Sequence, residues 1–383
     1  MDIKILATDR QLQVIGDPIT GWTRLEVALR YNEPSAASIS LPLSAVSAGQ
    51  IEPGCRLVVI RDGRVLISGP IERRGPQRWS ATGPDAGAGT IDVTIADDLA
   101  SIAAERVHPD PSQPLSNQRV ARREFMTVNA ETVMRALVAE QVGPSARPER
   151  QIPRLTLGPV AGVGTPITVG FRFDGLGDAL RTCAIAGGGL GFRTTQVGDE
   201  IQFEVYQPID RADSVRFSRG LGNLRSYELV EEAPTATVVI VGDGSGTGTN
   251  RVLREYVDQA AVATWGRIVT FVDRRDTTDT AELDEAGAEA LASGAARARL
   301  SAITADTPTQ RWGVHYDLGD RVSVEVDHGV VLTDVVREVR IEATPRTGEL
   351  VTAVVGNPET SNDPAWLRVV SDLARRLGRL EAI

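Results

Sequence analysis

Two stretches far apart in the chain are versions of one hairpin. GCRLVVIRDGRVL (residues 54–66) and GDRVSVEVDHGVVL (319–332) match Gly54, Arg56, Val59 and Asp62 to Gly319, Arg321, Val324 and Asp327. With His328 skipped, Gly63, Val65 and Leu66 then match Gly329, Val331 and Leu332. Asp-Gly between two β-branched runs is a strong hairpin signal, so chance likeness between such turns stands against duplication. Duplication is the more constraining reading, because it puts two similar β-domains in one chain. Three copies of such a chain can close a ring of six domains and dock on a six-fold partner.

The rest of the chain is β-rich with helical interruptions. ASISLPL alternates Ile39, Leu41 and Leu43, and GTIDVTIAD alternates Ile91, Val93 and Ile95, as half-buried strands do. Residues 1–105 therefore read mainly as strands. Residues 106–210 read as a small α/β domain. NAETVMRALVAEQVG is a helix capped by Asn129, with a Val133, Leu137 and Val138 stripe and a stop at Gly143. GLGDALRTCAIAGGG is a second helix, with Leu176, Leu180 and Ala184 in register, and a hairpin turning at Gly198-Asp199 follows. The longest helix is TAELDEAGAEALASGAARARLSAI, where Asp279 and Glu282 resemble a capping box. After a polar linker, Trp366, Val370, Leu373, Leu377 and Leu380 are spaced four, three, four, three. That is a short coiled-coil seam or an amphipathic helix packed on its own chain.

Composition excludes several functions. The chain carries 41 Lys and Arg against 51 Asp and Glu, a net charge of −10, so it is ill suited to gripping nucleic acid. Lys4 is the only lysine. No signal peptide, membrane span or stable membrane insertion is expected. Cys55 and Cys183 read as two buried thiols, with a single disulfide as the alternative. His108, His315 and His328 are the only histidines, and none sits in a metal-ligand spacing. VVIVGDGSGTGTNRV carries Gly242, Gly244, Gly246 and Gly248 but misses both phosphate-binding spacings, so it reads as a long hairpin loop. No cofactor, metal or catalytic residue is expected.

The ordered set RDGRVLISGPIE, TATVVIVGDGSGTGTNRV, WGRIVTFVDRRDTTDTAELDEAG, YDLGDRVSVEV, VVREVRIEAT and LARRLGRLEAI resembles the tail-hub, or minor tail, proteins of long-tailed non-contractile phages, within the baseplate-hub family. The resemblance covers nearly the whole chain. It implies a β-rich α+β fold in which two β-barrel hub domains are interrupted by small α/β insertions and followed by a short C-terminal helix. The first barrel would be residues 1–105 and the α/β domain 106–210. The second barrel would be 211–260 with 310–358, around a helix-bearing insertion at 261–309. Residues 359–383 would be linker and coiled coil. The implied function is a trimeric ring at the virion tail tip, assembled in the host cytoplasm. It would join a six-fold distal tail or tube protein to a central fibre or spike and pass DNA in transit. No enzyme activity is implied, and the chain is expected to leave no room for an appended hydrolase. The alternative is a receptor- or glycan-binding tail protein, which 4% aromatic residues disfavours. If the heptad seam forms a three-fold stalk, Leu373→Asp with Leu377→Asp leaves the β-domains folded but abolishes fibre attachment and infectivity. Fully fibred, infectious double-mutant particles would show that the seam is only a packing stripe.

Overall fold

The computed structural model describes residues 2–45, 49–79, 81, 89–244, 251–275, 278–295 and 297–356. They fall into two compact units: one runs to Ser226 and resumes at Ala302, the other is Tyr227–Ser301. The first unit begins with β1 (Ile3–Thr8), β2 (Arg24–Arg30), β3 (Ala36–Pro42), β4 (Arg56–Arg61), β5 (Arg64–Arg78) and β6 (Thr90–Ala96), followed by α1 (Asp98–Ala104). Alternation drives these strands into a core: Ile39, Leu41, Ile91, Val93 and Ile95 are all buried. Asp62 and Gly63 both have positive φ, 49° and 80°, as the two-residue hairpin turn requires.

The α/β module comprises β7 (Arg123–Asn129), α2 (Ala130–Gln141), β8 (Leu155–Leu157), β9 (Pro166–Phe171), α3 (Leu176–Ala186), β10 (Gly191–Val197) and β11 (Glu200–Tyr206). Asn129 caps α2, accepting from the Glu131 and Thr132 amides. Val133, Leu137 and Val138 of α2 and Leu176, Leu180 and Ala184 of α3 share one buried cluster with Phe192 and Phe203 of the β10–β11 hairpin. Both helices and the hairpin therefore lie where the sequence placed them.

Beyond the module come β12 (Arg216–Phe217) and β13 (Leu224–Glu232), then β14 (Val238–Gly242), β15 (Leu253–Val257), α4 (Gln259–Trp265), β16 (Val269–Asp273) and α5 (Thr280–Gly294). The last strands are β17 (Arg297–Thr304), β18 (Arg321–Glu325), β19 (Val331–Thr344) and β20 (Gly348–Gly356). The sequence carried the long helix on through RARLSAI, but that stretch is β17, where pairing with β20 and β13 overrides its helix propensity. Leu224–Ser226 of β13 and Ala302–Thr304 of β17 belong to the first unit.

The strands of the first unit repeat. The first six pair in the order β1-β4-β5-β6-β3-β2, and the later six in the order β12-β18-β19-β20-β17-β13. Numbered along the chain within each set, both read 1-4-5-6-3-2. The irregularities repeat as well. Residue Leu66 is bulged out of the β4–β5 ladder, which offsets the extra His328 in the later turn. Register is thereby restored, with Arg56 opposite Pro70 as Arg321 is opposite Val335. Each fifth strand then bulges again, β5 between Ile71 and Arg73 and β19 between Val336 and Glu338. Gly54 and Gly319, matched by sequence, have φ of +94° and +87°. Two differences stand out: β1 runs antiparallel to β4, whereas β12 runs parallel to β18, and β5 has a further irregularity between Arg74 and Gln77 that β19 lacks.

The β-rich α+β class holds, but the expected pair of closed barrels is not what the ladders form. Among the described residues, all twelve strands pair as one open sheet. The reason lies in β19. Its first part, Val331–Val335, pairs with β18, and its later part, Glu338–Ala343, pairs with β2 of the other set. The edge through which the second set could close on itself is thus occupied by the first.

In the unit Tyr227–Ser301, β14 pairs antiparallel with β15 and parallel with β16. Leu283 of α5 is buried with Val239 and Val241 of β14, and Ala290 and Leu291 pack against the same cluster. The glycine-loop strands thus belong to this unit, which starts earlier than the insertion expected at 261–309. Both edges of β14 are filled there, so it has none left for the large sheet. A strand, not a helix, follows the loop; its tip, residues 245–250, lies outside the described residues. No helix among the described residues is long and apolar enough to cross a membrane.

Burial places two acids side by side at the start of α1. Arg56 donates to both carboxylate oxygens of Asp98 at 2.7 Å, inside the core. Asp97 beside it is pushed up to about 7, chiefly by burial, with the Asp98 charge adding to the shift. A carboxyl raised in the folded state favours folding at low pH, and that contribution is lost as pH rises from its usual range through about 7. Asp97→Asn should therefore raise Tm at about pH 8, by roughly 2–4 °C for each kcal/mol recovered, and leave it little changed at about pH 4. Thermal unfolding at the two pH values checks both arms.

Candidate functional site

The feature of the first unit with most bearing on function is the seam where the two strand sets meet. Strand β2 lies antiparallel to β19, from Arg30 opposite Glu338 to Leu25 opposite Ala343. The Arg30 Nε donates to Glu338 Oε2 at 3.0 Å, and Arg340 donates to the other oxygen of the same carboxylate. Glu338 is 2% exposed, so this charge depends on its two guanidinium partners. The backbone continues the joint, with Tyr31 N–H donating to Arg337 O at 2.9 Å. The Arg337 guanidinium lies 5.9 Å from the centre of the Tyr31 ring.

The end of β2 also grips the α/β module. The Tyr31 hydroxyl donates to Leu190 O at 2.8 Å. Its pKa is raised, first by burial, against opposing effects of Arg337 and Asn32. Asn32 Nδ2 donates to Leu190 O at 2.9 Å, and its Oδ1 accepts from Phe192 N–H at 2.8 Å. Gly319 approaches the same tyrosine so closely that an added Cβ would lie 2.4 Å from Tyr31 Cε2 and 2.9 Å from Pro208 Cγ. Its φ of +87° independently favours glycine. Next to it, buried Asp320 accepts from Ile209 N–H at 2.8 Å, Arg211 Nε at 2.7 Å and Asp317 N–H at 3.0 Å. Both strand sets and the module are thus tied together over a few residues.

This arrangement is a mechanical joint: its charges are paired and its polar groups bond backbone. Of the candidate residues read from sequence, Trp366, Val370, Leu373, Leu377 and Leu380 lie outside the described residues. Cys55 and Cys183 are separate, buried free thiols, and burial pushes Cys183 up to about 12. His108 stacks edge-on against Phe173, and His315 Nδ1 accepts from Arg311 N–H at 3.0 Å. Among the described residues no group of three or more His, Cys, Asp or Glu could hold a metal ion. The sequence reading missed Arg30 and Glu338. No local signal marked them: Glu338 is in phase with Arg340 and Glu342, on the polar side of the Val339, Ile341 and Ala343 alternation, and reads as an outward-facing residue.

Removing one partner of a buried ion pair costs about 3–5 kcal/mol, against about 0–1 kcal/mol for an exposed pair. Glu338→Ala should therefore lower the denaturant midpoint far more than Arg219→Ala, whose pairing with Asp327 is exposed on both sides. Equal losses would show that the seam is not held by its buried carboxylate.

Comparison with known proteins gives two likenesses of fold and one family. The fold is similar to a 43 kDa tail protein of prophage MuSo2 from Shewanella oneidensis, with a TM-score of 0.56 at 13% identity, covering 94% of this chain and 100% of that one. It is also similar to a tail protein from Neisseria meningitidis MC58, with a TM-score of 0.53 at 14% identity, covering 93% of this chain and 97% of that one. Comparison with curated proteins gives no match. The family model described as Siphovirus ReqiPepy6 Gp37-like protein matches residues 2–357, and the chain belongs to that family.

Proposed function

We propose that this protein is the structural hub of a phage tail tip. In this reading a homotrimeric ring joins a six-fold distal tail or tube protein to a central fibre or spike, and DNA passes through the ring during ejection. The observation that carries the reading is the internal repeat: two six-strand sets of identical order, fused edge to edge by β2 and β19. Three chains then present six equivalent sets, which resolves the mismatch between a three-fold fibre and a six-fold tube. Cyclic closure is the common outcome when one contact repeats around an axis.

The chain's chemistry suits such a conduit. Its side chains act as joints and spacers, without catalysis. A net charge of −10 allows an acidic lumen that does not hold DNA by counterion release. The α/β module and the unit Tyr227–Ser301 are the parts left to meet neighbouring tail proteins.

The test is copy number. Quantitative mass analysis of isolated tail tips should find three copies of this chain per tail. One copy or six would contradict the hub reading.

A further inference from the structure

The repeat shows one contact made within the chain and leaves its counterpart unmade. In the second set, β19 past its bulge carries β20 on one edge and β2 on the other. The corresponding part of β5, Arg73–Arg78, pairs with β6 on one edge and with no strand on the other among the described residues. In the first set, β2 uses its outer edge to reach β19. Its counterpart in the second set, β13, ends the strand order. We propose that the open edge of β5 receives β13 of a second copy of this chain. The proposal rests on the ring reading and names the contact that would close it.

The charges fit this occupant. Arg73, Arg74 and Arg78 are exposed along β5, and Trp79 follows, 67% exposed. Strand β13 carries exposed Glu228 and Glu232. By the matched bulges, Arg73 occupies in β5 the place that Glu338 occupies in β19. The existing seam joins Arg30 on strand two to Glu338 on strand five. The proposed one has the same chemistry with its sides exchanged, glutamate on strand two and arginine on strand five. Arg74 and Arg78 also reach Glu52 and Asp92 within the chain, at 3.2 and 2.9 Å. Arg73 has no ion-pair partner among the described residues.

Within one chain β13 and β5 are separated in the strand order by the whole seam, so a β13 paired with β5 comes from another copy. Pro76 has no N–H to give, so pairing would run through the residues flanking it. Arginine, proline and a bulge are also what a sheet uses to keep an edge unpaired. Exchange of the two charge sets separates these possibilities.

Hydrogen exchange on the trimeric species, purified or in isolated tail tips, should show the amides of Arg73–Arg78 and of β13 slowed relative to the dilute monomer. Arg73→Glu with Arg74→Glu should weaken association about tenfold or more. Adding Glu228→Arg and Glu232→Arg in the same chain should restore it. Circular dichroism on each variant separates lost association from lost folding. A trimer unaffected by the double reversal, with Arg73–Arg78 unprotected, would overturn this contact and leave the ring reading standing. Protection on β5 without rescue would exclude β13 as its occupant. A chain found as one copy per tail and monomeric in solution would overturn both.

Discussion

The ladder between β2 and β19 is the constraint on which the rest of the first unit depends. It fuses two strand sets that would otherwise each need their own closed sheet. A strand edge left bare exposes a row of unpaired N–H and C=O groups, so each edge must be paired, covered or guarded. Here β19 solves this by length, running past β18 to take β2. The Arg30–Glu338–Arg340 cluster then fixes the register, since a slip by one residue would leave a buried carboxylate uncompensated.

The insertions follow from the same plan. In the first set, the link between strands two and three is the short stretch Tyr31–Ser35, whose Tyr31 and Asn32 hold the β10 end of the module. In the second set, the corresponding link carries the unit Tyr227–Ser301. One connection grips a neighbouring part of the fold, and its duplicate has become a place to build. The module itself occupies the connection between the two sets, and its core around α2 and α3 also takes in Leu12 and, from α1, Leu99 and Ile102. The two copies have also diverged at matched positions. Arg56 is buried against Asp98, whereas Arg321 lies exposed and donates to Thr333 Oγ1 at 2.7 Å.

What the sequence disclosed was local. The Asp62-Gly63 turn, the Asn129 cap and the α2 and α3 stripes are decided by residues within a few positions of one another, and these were legible. The duplication was legible too, because its glycine and hairpin residues keep their spacing. The seam was not: Arg30 and Glu338 are 308 residues apart, and nothing near either names the other. Closed barrels were expected because the resemblance to tail-hub proteins implied them, and no local pattern shows which strand edges a repeated β-domain leaves for its neighbour. Helix α4 was missed because it spans only Gln259–Trp265 between two strands, with Asp258 as its cap. The strands β14 and β15 were assigned to the second barrel because an apolar strand carries no label of the sheet it joins.

The central claim is that one chain contributes two equivalent positions to a ring. Cryo-electron microscopy of intact tail tips, reconstructed with three-fold symmetry only, tests it most directly. The account predicts that a cross-section at the hub shows six similar β-sheet densities, alternating between the set containing β5 and the set containing β19. A section showing six separate chains, or one strand set lying outside the ring, would contradict it.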